Sequence, residues 1–237
     1  MLKKHLNRKI KGFFFLLHLH HLVPARFLLF IAHLANLSRW VNKNKKAGFT
    51  TYYTYAFDHN KRYDLFNHVI ESEQIDAIDY LEFGVSTGQS FRWWMDRLKN
   101  EATRFYGFDT FSGLPEDWGP FKKGAMANNN EAPNIEGTRH QFYQGLFQQT
   151  LPTFLKTYDG NRRKIIHMDA DLYSATLYTL LTMNDFIKPG DIIFFDEFNV
   201  PMHEFKALEA YIASTYREYE VLGGVNNYYQ TCIKITR

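Results

Sequence analysis

The chain has 237 residues, enough for one α/β domain with a large core plus an extension. Its single cysteine, Cys232, excludes an internal disulfide and favours a reducing, cytoplasmic compartment. The net charge of +3 is unevenly distributed, because residues 1–57 hold ten Lys or Arg and no acid, whereas the remainder holds 18 basic and 25 acidic residues. The first segment therefore presents a different kind of surface from the rest.

Residues 1–46 form a basic, apolar arm. Its apolar run does not predict a transmembrane span, which needs about 20 mostly apolar residues, and no small-residue cleavage site follows it. The run is interrupted by His18, His20, His21, Pro24 and Arg26. We expect two helices hinged at Pro24. The arm either makes peripheral contact with an anionic membrane or packs on the domain or on a second subunit, as in a homodimer.

Residues 47–77 are a Tyr-rich connector followed by a helix. The helical spacing of apolar residues predicts the helix over 62–73. The tyrosines form either a packed connector or a lid that covers a cofactor or an acceptor. The third predicted unit, 78–237, is the main domain.

Tyr80 to Ser90, YLEFGVSTGQS, reads as a buried strand, a glycine turn and a helix start. Free backbone N–H groups at such a helix N-terminus favour an anionic or polar cofactor. The spacing is G-x-x-x-G and does not meet the dinucleotide fingerprint, so a tight turn without a ligand is the alternative. The next strand, 104–109, ends in Asp109, where an acid can accept hydrogen bonds from a ribose diol. Together these features favour S-adenosylmethionine over NAD.

The rest of the chain alternates between strands and helices. Further strands are predicted at 140–144, 164–168 and 191–195, and helices at 174–187 and 203–216. Residues 151–156 start or cap another helix, and 119–138 form a polar loop whose length indicates a functional or mobile segment. Residues 219–235 read as an antiparallel hairpin around Gly223–Gly224 and Asn226–Asn227. The expected fold is α/β: a Rossmann-like, doubly wound, mostly parallel seven-stranded sheet with a C-terminal antiparallel hairpin and an N-terminal helical extension. Ligands of such sheets bind at the carboxyl ends of the strands, where the notable acids fall.

Five pieces of sequence, taken in order, resemble class I S-adenosylmethionine-dependent methyltransferases, and more narrowly the macrocin/mycinamicin sugar O-methyltransferase family. They are LEFGVSTGQS, GFDTFSGLPEDW, GLFQQTLP, HMDADLYSAT and GDIIFFDEF, over roughly residues 78–200. The resemblance implies that the methionine end of the cofactor is held by Glu82, Gly84, Thr87, Gly88 and Ser90. It implies that Asp109 binds the ribose and that the turn with Thr110 and Ser112 lies by the adenosine. It also implies a Mg²⁺ site at Asp169, Asp196 and Glu197, although the family more often has two aspartates at 196–197.

Methyl transfer to a hydroxyl requires positioning of the acceptor and removal of its proton. Asp169 and Asp171 are candidate catalytic residues, with Asp171 as base, and His203 is a second candidate base. The alternatives are a helix N-cap or first-turn acid for Asp171 and a surface helix start for His203, while His167 reads as a core histidine. For Asp196 and Glu197 the alternative is a solvated turn. The expected function is O-methylation of a small molecule or a sugar or glycan, assisted by Mg²⁺. The competing hypothesis is a membrane-surface binding protein that keeps the cofactor pocket without catalysis. Nucleic acid is an unlikely partner because the catalytic portion is net acidic.

Overall fold

The computed structural model describes residues 2–237, with side chains from residue 7 onward. One sheet contains eight strands: β1 (Phe49–Thr50), β2 (Asp79–Phe83), β3 (Arg104–Asp109), β4 (His140–Gln144), β5 (Lys164–Met168), β6 (Ile192–Phe195), β7 (Tyr219–Val225) and β8 (Gln230–Ile235). The α-helices are α1 (Leu2–Leu16), α2 (Ala25–Asn44), α3 (Lys61–Ser72), α4 (Gln89–Arg97), α5 (Phe147–Leu155), α6 (Tyr173–Thr182) and α7 (Glu204–Thr215), and a 3₁₀ turn spans Leu19–Leu22.

The strand order is β1-β7-β8-β6-β5-β2-β3-β4. Only β8 runs antiparallel to its neighbours, β6 and β7, so the carboxyl ends of the other strands share one edge. The predicted doubly wound sheet and terminal hairpin are confirmed. The two-residue β1 adds an eighth strand at the edge beside β7, because the connector pairs there before α3 begins.

The centre of the sheet is apolar because helices cover both of its faces. Every residue of β2, β5 and β6 is buried. Phe83 and Phe108 stack in the core on one face, with ring centroids 4.7 Å apart. Tyr80, Trp94 and Phe105 pack in the core on the other face. This burial on both faces explains why strands such as IIFF read as continuous apolar runs.

Two predicted helices differ in their bounds. The helix expected from residue 151 begins earlier, at Phe147, because the Gln149 side chain accepts the backbone N–H of Leu146 and caps its start. The helix expected over 174–187 is shorter, since α6 ends at Thr182. The loop over 119–138 contains no helix or strand among the residues described.

The arm contains two α-helices, of which the second, α2, begins directly after Pro24. It contacts the domain from His33 onward, where Nδ1 of the ring lies 3.5 Å from a Glu209 carboxylate oxygen. Leu37 is the first buried residue of α2. The Trp40 indole donates a 2.8 Å hydrogen bond to the Tyr219 hydroxyl, and the Tyr228 hydroxyl donates one of 2.8 Å to the Asn44 carbonyl. None of the described helices is long and apolar enough to cross a bilayer.

Candidate active site

The turn between β2 and α4 depends on left-handed backbone conformations. Gly84 has φ +100°, Ser86 has φ +48°, and Gly88, the N-cap of α4, has φ +76°. A Cβ added to Gly84 would lie 1.7 Å from the carbonyl oxygen of Asp169. The first turn therefore lies directly against the end of β5, and Gly84 is required there for space as well as for conformation.

Replacing Gly84 by alanine is expected to destabilise the fold by about 3 kcal/mol, because a strained φ and a backbone collision both cost energy. That loss should lower the melting temperature by roughly 10 °C in a domain of this size. Gly124→Ala is the matched control, because Gly124 also has positive φ (+86°) but an added Cβ meets nothing within 4 Å. Thermal unfolding of both variants separates crowding from backbone strain. Equal losses in the two would contradict a tight contact at Gly84.

Asp109 connects the turn that follows β2 to the turn that follows β3. One carboxylate oxygen accepts the backbone N–H of Ser86 at 2.7 Å, and the other accepts that of Phe111 at 2.6 Å. The Thr110 hydroxyl donates to the Gly113 carbonyl at 2.8 Å and holds the following turn. Asp109 is thereby fixed, with lone pairs left for a ligand at the cavity wall.

A cavity of about 430 Å³ opens at the carboxyl edge of the sheet. Nine of the residues predicted for the site line it: Gly84, Thr87, Ser90, Asp109, Thr110, Asp169, Asp171, Asp196 and Glu197. Its apolar wall comes from turns and the long loop, with Leu114, Trp118, Phe121, Met126, Leu146 and Phe147. The glycine turn, the second-strand acid and the acids after β5 and β6 thus meet in one cavity.

Four predicted site residues do not line this cavity. The Gly88 backbone is buried beside Pro133, and Ser112 is exposed on the outside of its turn. The ring of His203 lies behind Trp118, with centroids 6.4 Å apart, and burial lowers its pKa. The fourth residue, Glu82, points into the core.

Glu82 belongs to a buried chain of polar groups. The Ser90 hydroxyl donates to it at 2.6 Å, and the Tyr80 hydroxyl contacts its other oxygen. Tyr80 also bonds to Nδ1 of His167 at 2.8 Å. Burial raises the pKa of Glu82 to about 8 and lowers that of His167 to about 3. Glu82 thus supports Ser90 from within the core, and His167 is a core histidine as the alternating pattern indicated.

The raised pKa of Glu82 predicts a pH dependence of stability. The folded chain retains a proton on Glu82 that the unfolded chain releases near the ordinary carboxyl pKa of 4.5. The contribution of Glu82 to stability is therefore full below about pH 4.5 and is lost as pH rises through about 8. Glutamine is neutral at every pH. The free energy of unfolding of Glu82→Gln, relative to that of the native protein, should therefore rise by up to about 1.4 kcal/mol per pH unit across that window. Urea unfolding from pH 5 to 9 measures the difference. The exposed Glu101→Gln serves as control, and a constant offset for Glu82→Gln would contradict a neutral Glu82.

A cluster of carboxylates follows β5 and β6. One oxygen from each of Asp169, Asp196 and Glu197 lies within 4.8 Å of the other two. Asp171 shares a hydrogen bond with Glu197, and the backbone N–H of Glu197 donates to Glu204 at 2.9 Å. Burial raises the pKa of all five acids, that of Asp171 to about 7. Three buried oxygens here lack a hydrogen-bond donor, namely Asp196 Oδ1, Glu197 Oε2 and Glu204 Oε1.

Two basic residues that line the cavity were not predicted from the sequence. The guanidinium of buried Arg62 lies 3.4 Å from Asp196 and also donates to the Gln89 side chain at 3.3 Å. His59 Nε2 lies 3.9 Å from the same Asp196 oxygen. Both belong to the connector and α3, which the hairpin turn holds in place because Asn226 bonds to the backbone of Asp58. The connector tyrosines, for which either a packed connector or a lid was expected, are exposed at positions 52, 53 and 55.

The observed helix starts test the alternative interpretations of Asp171 and His203, and the outcome differs between the two residues. The N-cap of α6 is Leu172, so Asp171 lies outside the helix, in a left-handed conformation with φ +58°. The N-cap alternative for Asp171 is therefore wrong. His203 is the N-cap of α7 without a side-chain capping bond, which places it at a helix start as the alternative stated.

Residues 81–198 match the family model described as a methyltransferase domain. Similar solved structures include a calicheamicin methyltransferase, with 19% identity over 75% of this chain and 80% of that one and a TM-score of 0.57. An apo structure of that enzyme, described as a TDP-rhamnose 3′-O-methyltransferase, matches with 19% identity over 75% and 81% of the two chains and a TM-score of 0.53. The O-methyltransferase NovP matches with 18% identity over 73% and 80% and a TM-score of 0.53. No curated protein sequence matches the chain.

These similarities agree with the order of the sequence motifs and with the cavity they form. At these identities the solved structures establish the fold, and the family model matches just under half of the chain. Residues 81–198 are similar to a methyltransferase domain, and the sheet that contains them has the fold of the solved methyltransferases.

Proposed function

We propose that this protein transfers the methyl group of S-adenosylmethionine to a hydroxyl of a small molecule or sugar, assisted by Mg²⁺. The observation that carries the proposal is the carboxylate cluster of Asp169, Asp171, Asp196 and Glu197 on the wall of the same cavity as Asp109. An acceptor bound at the cluster lies within reach of a donor anchored at Asp109. The similar structures described as O-methyltransferases, one of them acting on TDP-rhamnose, support a sugar acceptor.

The residues at the ends of β2 and β3 suit the binding of the methyl donor. Asp109 faces the cavity with both oxygens fixed by backbone N–H groups, as a ribose diol requires. Ser90 and Thr87 flank the N-terminus of α4, where the polar methionine end of the donor would find hydrogen bonds. The apolar wall formed by Leu114, Leu146 and Phe147 suits the adenine ring.

The acids after β5 and β6 suit a hard divalent cation. Mg²⁺ takes oxygen ligands, and Asp169, Asp196 and Glu197 bring three oxygens together. Orphaned buried oxygens on Asp196 and Glu197 fit the same conclusion, since among the described side chains Arg62 and the half-exposed His59 are the basic groups that pair with the cluster. Glu197, where the family more often has aspartate, keeps an oxygen within the group. When bound, Mg²⁺ lowers the pKa of an acceptor hydroxyl and orients it.

The reaction is an in-line displacement. The acceptor oxygen forms a bond to the methyl carbon as the carbon–sulfur bond breaks, and the sulfonium becomes a neutral thioether. The hydroxyl proton passes to a base, and we assign this role to Asp171, whose carboxylate lies on the cavity wall next to Glu197. His203 lies behind Trp118 and is not assigned a role in proton transfer. The buried, unpaired thiol of Cys232 is consistent with a cytoplasmic location.

Mg²⁺ is expected to raise the melting temperature of the native chain by about 5–10 °C at 100 times its Kd, because binding to the folded state alone contributes about 2.7 kcal/mol. Glu197→Gln should abolish this shift while raising the melting temperature of the chelated protein, since burial penalises the charged form of Glu197 and glutamine carries no charge. Differential scanning calorimetry with EDTA or with Mg²⁺ measures both effects. Glu116→Gln, at an exposed acid outside the cluster, is the control.

The acceptor is sought by supplying methyl-labelled S-adenosylmethionine with a panel of sugar nucleotides and phenols, with Mg²⁺ or EDTA. Transfer that requires Mg²⁺ supports the proposal. A native Mg²⁺ shift that survives in Glu197→Gln, or transfer that is equal in EDTA, would overturn the assignment of the metal site.

A further inference from the structure

The N-terminal arm exposes far more apolar surface than a free monomer usually does. Of the side chains described, none between residues 7 and 36 is buried. Large apolar side chains exposed in this segment include Phe13 (60%), Phe15 (69%), Leu22 (79%) and Phe27 (61%). Soluble monomers rarely carry contiguous apolar patches beyond a few hundred Å², so an arm of this kind requires an occupant.

At the start of α2, apolar side chains are exposed on all sides of the helix. Residues 27–31 are five consecutive large apolar side chains, and all are exposed. Five positions at 100° each pass more than once around a helix, so no single stripe faces a groove in a partner protein. An apolar medium that encloses the helix fits this distribution better than a shaped protein surface.

The positive charge of the arm favours an anionic medium. Between residues 7 and 46 the arm carries eight Lys or Arg, and the first acid of the whole chain is Asp58. A second copy would bring two such arms together with no acid on either to pair with them. Anionic lipid head groups supply that charge over an apolar layer. Because basic residues such as Lys11 and Arg26 lie close to the apolar side chains of the arm, the arm would lie in the interface.

We propose that residues 7–36 dock on an anionic lipid bilayer, with the phenylalanines and leucines at the acyl boundary and the Lys and Arg at the head groups. The domain is attached through the second half of α2, where Leu37 and Trp40 pack on it. This interaction is independent of methyl transfer, because no arm residue lines the catalytic cavity.

The full chain is tested by flotation with phosphatidylcholine vesicles that contain 30% phosphatidylglycerol or none. Binding to the anionic vesicles alone is expected. Arg8→Gln/Lys9→Gln/Lys11→Gln should lower the partition coefficient about 100-fold, since each basic residue near an anionic surface contributes about fivefold. Phe15→Gln/Phe27→Gln/Leu28→Gln should abolish flotation. Arg97→Gln/Lys99→Gln/Lys123→Gln, which removes three basic side chains from the domain, should bind as the native chain does.

Binding of S-adenosylhomocysteine by every variant shows that the domain remains folded. Absence of binding by the native chain would count against the proposed function alone. No flotation, or equal flotation of native and arm variants, would overturn the membrane proposal. Sedimentation velocity without lipid gives the remaining outcome: a native dimer that the Phe/Leu variant converts to a monomer would assign the arm to a second copy and overturn it as well.

Discussion

Asp109→Ala is expected to weaken S-adenosylhomocysteine binding by about 100-fold or more. A charged acceptor that makes two hydrogen bonds to a ribose diol contributes about 3 kcal/mol to binding, and alanine removes both. The variant also releases the N–H groups of Ser86 and Phe111, which loosens the two turns that shape the cavity. Isothermal titration of S-adenosylhomocysteine into the two proteins measures the loss.

Two further variants separate ligand contact from turn geometry. Asp109→Asn keeps one carbonyl acceptor but sets an N–H₂ group against a backbone N–H, so an intermediate affinity is expected. Ser112→Ala changes an exposed residue of the same loop that does not line the cavity, and it should bind as the native protein does. If Asp109→Ala remains folded and binds with native affinity, the ribose is anchored elsewhere.

The placement of the principal acids could be predicted because it follows from topology. In a parallel sheet the residues after each strand share an edge, so Asp109, Asp169, Asp196 and Glu197 had to meet once the strands were assigned correctly. The glycine turn was legible for a similar reason, since Gly84 and Gly88 occupy left-handed positions on a strand-to-helix turn. These features depend on local sequence and strand direction alone.

The remaining differences arise from tertiary contacts and from side-chain direction. Glu82 is the fourth residue of a five-residue strand that is buried throughout, so alternation could not show that its carboxylate turns inward to Ser90 and Tyr80. His59 and Arg62 reach the cavity because the distant Asn226 holds the preceding backbone, which no local pattern reveals. The polar loop over 119–138 read as functional or mobile, and two of its apolar residues, Phe121 and Met126, form part of the cavity wall.

Asp171→Asn is expected to lower kcat about 1,000-fold while leaving the affinity for S-adenosylhomocysteine within about threefold of native. General base catalysis contributes about 10²–10⁴-fold, and asparagine cannot take the proton. The change adds little strain, because asparagine accepts the left-handed backbone at φ +58°, and its amide can donate to Glu197 in place of the shared proton. Single-turnover transfer of a labelled methyl group to an acceptor found in the screen measures the rate.

The contrast with neighbouring variants identifies the role of Asp171. The Mg²⁺ shift in melting temperature should persist in Asp171→Asn and vanish in Glu197→Gln, since Asp171 is not one of the three residues whose oxygens converge. His59→Gln tests another titratable group on the wall, 3.9 Å from Asp196 and closer to solvent. A loss of less than tenfold in Asp171→Asn, together with a large loss in His59→Gln, would transfer the base to the connector. The proton would then leave on the solvent side of the cavity, and the carboxylate cluster would serve to hold the metal and the acceptor alone.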